Sequence, residues 1–305
     1  MTGDPFGDWY DAAGVRGGTR RLLRDETEQG LAYFPEKLVP YLDHELVKAL
    51  GPEARRDLTV RHLYQFLLAT THLETRIVNR GAERIANNRV GLHLPARTRM
   101  NAFKVYCDEG YHALYSLDLA EQVEAATGVT IPGWDFGGFT RRLDDTAARL
   151  LPDAPVLAQL LQVVVFETLI TAVLNELPND PGVVTTVREL TRDHARDEGR
   201  HHRFFAAFFH ELWTGLDANR RAQAALALPA FIEDCLRFDT LPAERSLTLA
   251  GLAPGDTVTV LADTFDRPQR LRENAAATVR MCRSAGVFDV PGAVEAFAGK
   301  GLIDG

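Results

Sequence analysis

The chain has 305 residues, 46% of them hydrophobic and 25% charged, with a net charge of −8. A large core is affordable at that length, and the acidic balance argues against a nucleic-acid partner, because phosphate binding needs clustered Lys and Arg. Three cysteines (Cys107, Cys235, Cys282) with no C-x-x-C argue against a disulfide framework or a thiolate zinc site and fit a reducing compartment.

The first ten residues lack a basic-then-apolar pattern, so no signal peptide is expected and a cytoplasmic location is. Gly, Pro and Asp are frequent before Arg20, which predicts a loosely held start. From Leu58 to Arg89 apolar residues recur every three or four positions (Leu63, Phe66, Leu67, Leu73, Ile77, Val78), which predicts a helix stopped at Asn87-Asn88 and Gly91. Pro95 opens a second helix that runs through Tyr106, His112 and Val123 to about Thr127, with Gly128 as its stop. A Gly-rich loop and a short helix from Thr140 to Leu151 lead to a long apolar helix over about Pro155 to Leu177. Gln159, Gln162 and Glu167 interrupt its apolar run, so a helix buried in a soluble bundle is expected rather than a membrane span. Pro178 to Gly182 is a strong breaker. Next comes a helix from about Val183 to Trp213, charged at one end and aromatic at the other. Beyond it, Pro229 to Arg237, Pro268 to Ala285 and Val287 to Leu302 look helical, whereas Thr257 to Leu261 has strand propensity. No linker is evident, and one domain over 1–305 is expected, with core helices over about 58–213 and an extension over about 216–305.

Two segments nearly repeat: Asp108-Glu109-Gly110-Tyr111-His112 and Asp197-Glu198-Gly199-Arg200-His201, both D-E-G-x-H on predicted helices. Glu and His three apart share a helix face and can place a carboxylate and an imidazole on one ion. One E-x-x-H is weak evidence, since such pairs are common on solvated faces. Two, with a core-facing Glu on each of two further helices, are the ligand pattern of ferritin-like di-metal bundles. Glu74 and Glu167 supply those two, and the order along the chain is Glu, E-x-x-H, Glu, E-x-x-H. The predicted fold is therefore an all-α, ferritin-like four-helix bundle with a di-metal core and flanking helices. Mixed carboxylate and imidazole ligation suits iron or manganese, which change oxidation state. Asp108 and Asp197 are candidates to accept the free N–H of a ligand His and set its tautomer. His194 lies four residues before Glu198 and seven before His201, on the same face. His44, His62, His72, His93, His202 and His210 leave that face and read as structural; Cys107 reads as a small packed residue, and Tyr106, Tyr111 and Tyr115 as core aromatics near the site.

This pattern resembles the di-iron amine N-oxygenases typified by the p-aminobenzoate N-oxygenase of aureothin biosynthesis and the arylamine oxygenase of the chloramphenicol pathway. The resemblance is strongest from about Leu58 to Trp213. That family carries an extra His on the fourth core helix. The resemblance implies Glu74, Glu109, His112, Glu167, Glu198 and His201 as ligands of two iron ions, with His194 as a seventh, and helix rather than strand over Thr257 to Leu261. It also implies oxygen activation through a peroxo species and oxidation of an amine nitrogen to hydroxylamine, nitroso or nitro products in secondary metabolism. The expected partners are an amine substrate, free or held on a carrier protein, an external electron donor or redox partner, and a second copy in a homodimer, with no nucleic acid and no membrane. Arg270, Arg272, Arg280 and Arg283 are candidates for a substrate carboxylate. The competing readings are a di-iron hydroxylase or desaturase acting on carbon, which would not need His194, and a ferroxidase or iron-storage protein.

Overall fold

A computed structural model describes residues 3–17, 20–24, 30–169, 172–237, 239–265 and 270–304. The described residues are mostly helical; the only β pairing among them is an isolated bridge between Ala32 and Val183.

Helix α1 spans 52–86 and starts where Gly51, at φ 89°, turns the chain into Pro52, a residue whose missing N–H costs nothing in a first turn. Its middle, Thr70–Val78, is π-helical: the Asn79 N–H bonds back five residues to the Glu74 carbonyl. The Thr71 and Thr75 hydroxyls each bond a carbonyl four residues back, at 2.9 Å, competition that loosens and bends the regular ladder. The wider turn brings Leu73, Glu74, Ile77 and Val78 all to the buried side.

Helix α2, Ala96–Thr127, begins after Pro95 and ends at Gly128, whose left-handed φ of 70° caps it. Helix α3, Gly137–Leu150, leads to α4, Pro155–Thr168. The polar residues of α4 are satisfied: Gln159 accepts from Arg84 at 2.6 Å, and Gln162 accepts from Arg80 at 2.6 Å and donates to the Leu143 carbonyl at 2.8 Å. Helices α1 and α4 touch at Gly81, where a β-carbon would lie 2.4 Å from Val163, so only glycine allows this approach. Helix α5, Thr185–Gly215, completes the four. Next come α6, Ala218–Leu236, and α7, Leu241–Leu249. Helices α8, Pro254–Phe265, α9, Arg270–Ser284, and α10, Ala293–Gly299, finish the chain. No helix among the described residues is long and apolar enough to cross a membrane.

Several expectations are corrected. The third bundle helix does not run unbroken to Leu177: it stops at Thr168, Leu169 is extended at ψ 112°, and the next described helix is Ala172–Glu176. A run of three valines before the break weakens helix propensity, and the Thr168 hydroxyl turns back to the Val164 carbonyl at 2.8 Å. Helix α6 starts eleven residues before Pro229, capped by Asp217, and carries that proline inside it. Thr257 to Leu261 is helix, as the resemblance implied. The predicted start of α9 at Pro268 lies outside the described residues. Cys107 is exposed, because α2 turns Asp108 and Glu109 inward and leaves it on the outer face. Residues 4–17 are not loose: Phe6, Trp9 and Ala13 are buried, Trp9 bonds Asp108 of α2, and the short helix Gly14–Gly17 packs against α2 and α5.

Candidate metal centre

Glu and His at i and i+3 project from one side of α2 (Glu109, His112) and of α5 (Glu198, His201), with His194 one turn earlier on the same side of α5. Glu74 enters from the π-helical turn of α1, and Glu167 from the last turn of α4. The seven side chains form two groups, Glu74 with His112, His194 and Glu198, and Glu109 with Glu167 and His201. The donor atoms of each group lie within 4.8 Å of one another. Both E-x-x-H pairs are thus divided between the groups, rather than each serving one ion. Glu109 spans them: one oxygen is 3.2 Å from His112 Nδ1 and the other 2.9 Å from His201 Nδ1. Glu198 Oε1 also sits between, 3.3 Å from His194 Nε2, 3.3 Å from His201 Nδ1 and 3.5 Å from His112 Nδ1.

Behind the cluster the helices serve each other. Asp108 of α2 is 3.2 Å from His201 Nε2 on α5, and Asp197 of α5 is 3.4 Å from His112 Nε2 on α2. Each Asp thereby favours the N–H on Nε2 and leaves the Nδ1 lone pair facing the cluster. Asp108 in turn accepts the Trp9 indole N–H on both oxygens at 2.9 Å. Asp197 accepts from Arg200 at 2.6 Å and from the Gly14 N–H at 3.1 Å. A β-carbon at Gly14 would stand 2.7 Å from Asp197 Oδ2, so glycine is needed for that contact. Arg200 reaches on to Asp8 at 3.0 Å, and the Phe6 ring stacks on His201 at 6.1 Å.

The electrostatics call for cations. Burial raises the Glu167 carboxyl well above its usual range, and Glu198 and Glu109 push the same way. Glu167 also sits at a helix C-terminus, where the backbone dipole disfavours an anion. Burial opposes charge on His112, but Asp197, Glu109 and Glu74 outweigh it and hold the imidazole well above its ordinary value. His194 is likewise disfavoured by burial, yet Glu74 lifts it to about 9. Buried atoms of Glu74 (Oε2), Glu109 (Oε1), Glu167 (Oε2), His194 (Nε2), Glu198 (Oε1) and His201 (Nδ1) make no aligned hydrogen bond. Unpaired buried carboxylates and imidazoles are costly, and the convergence of their lone pairs on two points fits a pair of metal ions. Four carboxylates offset the charge of two divalent ions.

Sequence reasoning missed Trp9, Gly14 and Arg200, and with them the N-terminal strap behind the site. Arg200 stood inside the second D-E-G-x-H, but nothing in the spacing linked residues 9 or 14 to positions about a hundred or more further on. Tyr115 packs against His112 and His194, with ring centres 5.4 and 6.2 Å away. Tyr115 and Tyr111 line a cavity of about 660 Å³ between the strap, α2 and α5; Tyr106 is exposed. Arg272, Arg280 and Arg283 are exposed at the far end of the chain, and the side chain of Arg270 lies outside the described residues. Of the histidines read as structural, His62 is buried against Phe34 and Tyr41, and His44 caps the short helix Glu45–Lys48.

The family model described as P-aminobenzoate N-oxygenase AurF matches residues 22–286, most of the chain. No curated protein gave a significant match. The match spans α1 to α9 and all seven clustered residues, and the chain belongs to this AurF-type family of non-haem di-iron N-oxygenases.

Proposed function

We propose that this enzyme adds oxygen to the nitrogen of an amine, with an arylamine as the first substrate class to test, drawing electrons from an external donor. The observation that carries the reading is the convergence of Glu74, Glu109, His112, Glu167, His194, Glu198 and His201 into two adjoining groups, in a chain matched by an N-oxygenase family model. On this reading the seven are the ligands of two iron ions, which supply reversible redox chemistry toward oxygen. His194 is the residue that singles out nitrogen as the target. It adds a second imidazole to the group that already holds His112, and makes that side the more electron-rich.

The chain's own residues then have distinct tasks. Glu109, fully buried, spans the two groups and sets their separation. Glu198, whose side chain is 19% exposed, marks the side from which oxygen and amine approach. Asp108 and Asp197 hold the two Nε2 protons and fix the imidazoles. Tyr115 closes the wall beside His112 and His194 and keeps water of the outer cavity from them. The wider setting proposed is a biosynthetic reaction in the cytoplasm, by a homodimer served by a redox partner.

The test is a single-turnover experiment. The protein is loaded anaerobically with iron(II), mixed with labelled oxygen and a panel of aryl and aliphatic amines, and its products are read by mass. Label on nitrogen is the expected result. Rapid iron oxidation with label on carbon, or with no labelled product from any amine, contradicts it.

A further inference from the structure

Helices α2 and α5 are 32 and 31 residues long and each carries one Glu–His pair, yet their outer faces differ. The exposed side of α5 holds Arg192, Arg196, Arg203, His210 and Glu211, as a solvated helix face does. The exposed residues of α2 from 100 to 117 carry no charge. Met100, Phe103, Tyr106, Leu114 and Leu117 are each between 42% and 64% exposed. Apolar residues scattered singly over a surface need no explanation, but a continuous row marks an interaction site. This row is regular. Met100, Phe103, Cys107, Gly110, Leu114 and Leu117 are alternately three and four residues apart, the spacing that keeps one helix face toward a second helix. Over about 25 Å of helix the row also reads alike in both directions: large, large, small, small, large, large. Its flanks differ in charge, with Arg97 and Arg99 exposed before it and Glu121 exposed after it.

We infer that a second copy of this chain docks on this face, α2 against α2 and antiparallel, with the two-fold axis between Cys107 and Gly110. In a two-fold interface one patch meets itself, and a row that reads alike in both directions is complementary to its own inverted copy. Antiparallel packing sets Met100 opposite Leu117 of the second copy, Phe103 opposite Leu114, and Cys107 opposite Gly110. Large side chains then fill the two ends, and small ones let the helices close at the centre. The same arrangement sets Arg97 beside Glu121, whereas parallel packing would set each charge against its like. An unrelated partner would call for no such symmetry. Glu109 and His112 project from the opposite, buried side of α2, so docking leaves them untouched. The inference gives the homodimer proposed above its face and does not depend on the chemistry of the metal centre.

The experiment measures the mass of the full chain by sedimentation velocity over a range of concentrations, with and without iron, and checks folding by helix content. Wild type is expected at twice the 33.8 kDa chain mass. Phe103→Glu with Leu114→Glu, both at exposed sites, should keep the helix content and raise the dissociation constant by at least about 100-fold. Arg97→Glu should weaken the dimer by about tenfold, and Arg97→Glu with Glu121→Arg should recover it. At a helix spacing of about 8 Å the two Cys107 α-carbons lie about 6 Å apart, within reach of a disulfide, and Cys107 is the exposed cysteine. Diamide, by accepting two electrons and two protons from the two thiols, should therefore link wild-type chains in pairs and leave Cys107→Ser unlinked. A wild-type monomer at every concentration overturns the inference, even one that binds lipid vesicles through this face. So does a dimer that survives the two glutamates, since it forms through another face. A dimer lost in that variant, but neither rescued by the charge swap nor linked by diamide, overturns the antiparallel register. If the two glutamates unfold the chain, Leu114→Lys alone takes their place. A chain that dimerises in this way but binds no iron would defeat the di-iron reading and leave this one standing.

Discussion

The two D-E-G-x-H segments have four of five residues in common, lie on the long helices α2 and α5 and turn the same face inward, yet their glutamates behave in opposite ways. Glu109 has its carboxyl raised by burial and by the nearby Glu74 and Glu198, whereas in Glu198 the effect of burial is outweighed by His201 and His194, which hold the carboxyl well below its usual range. The cause lies one turn earlier. Four residues before Glu198 stands His194; four residues before Glu109 stands Val105. The aspartates differ too, one facing a neutral indole and the other a guanidinium. A shared motif thus sets which atoms face inward, and its neighbours decide what those atoms do.

The contrast can be broken most severely at Glu109. Glu109→Ala removes the carboxylate that spans both groups, and iron content is expected to fall well below two per chain, with activity down by at least about 100-fold. Two retained irons would show that Glu109 is no bridge. His194→Ala makes the second segment resemble the first. It should leave a folded bundle that still holds iron but oxidises amines about 100-fold more slowly; unchanged turnover would sink the seven-ligand reading. Asp108→Asn and Asp197→Asn should each weaken iron binding by about 10- to 100-fold. The second should also lose about 1–3 kcal/mol of stability on denaturant melts, because buried Arg200 loses its closer partner. Equal stability of the two variants would erase the difference between the segments.

His62 sharpens the same contrast from outside the site. Buried without a carboxylate neighbour, its imidazole is pushed down to about 4 by desolvation, whereas the cluster imidazoles are held up. The unfolded chain therefore takes up a proton between about pH 6.5 and 4 that the folded chain refuses. Stability should fall as pH drops through that window, by at most roughly 3 kcal/mol from this residue. Melts of His62→Leu across the window should be flatter than wild type by that amount. The smallest effects concern glycine. Gly14→Ala should cost about 1–3 kcal/mol by driving a β-carbon into Asp197. Gly110→Ala, with nothing within 4 Å, should stabilise by about 0.5–1 kcal/mol. A destabilised Gly110→Ala would mean that the glycine of the motif has a task of its own.

The helical bundle and the seven inward residues were legible because helical period places i, i+3, i+4 and i+7 on one face whatever the surroundings. Helix ends at Pro95, Gly128 and Pro155 were legible from proline and glycine chemistry. The break after Thr168 was not, since a run of apolar residues looks the same whether or not its ladder is interrupted. The π turn at Thr70–Val78 hid for a similar reason: its apolar spacing still fits a helix, and only the Asn79-to-Glu74 bond reveals the wider turn. The strap of residues 4–17 was misread because Gly, Pro and Asp usually mark mobile chain. Here Gly14 is small so that Asp197 can approach, and the meaning of that glycine lies in a partner far along the sequence.

On the reading proposed above, seven side chains on four helices hold two iron ions. Anaerobic titration of the protein with iron(II), followed by calorimetry and by iron analysis after desalting, tests it most directly. The expected end point is two irons per chain, falling below two in Glu109→Ala. An end point at one or none, or a Glu109→Ala protein that still takes up two, would contradict it.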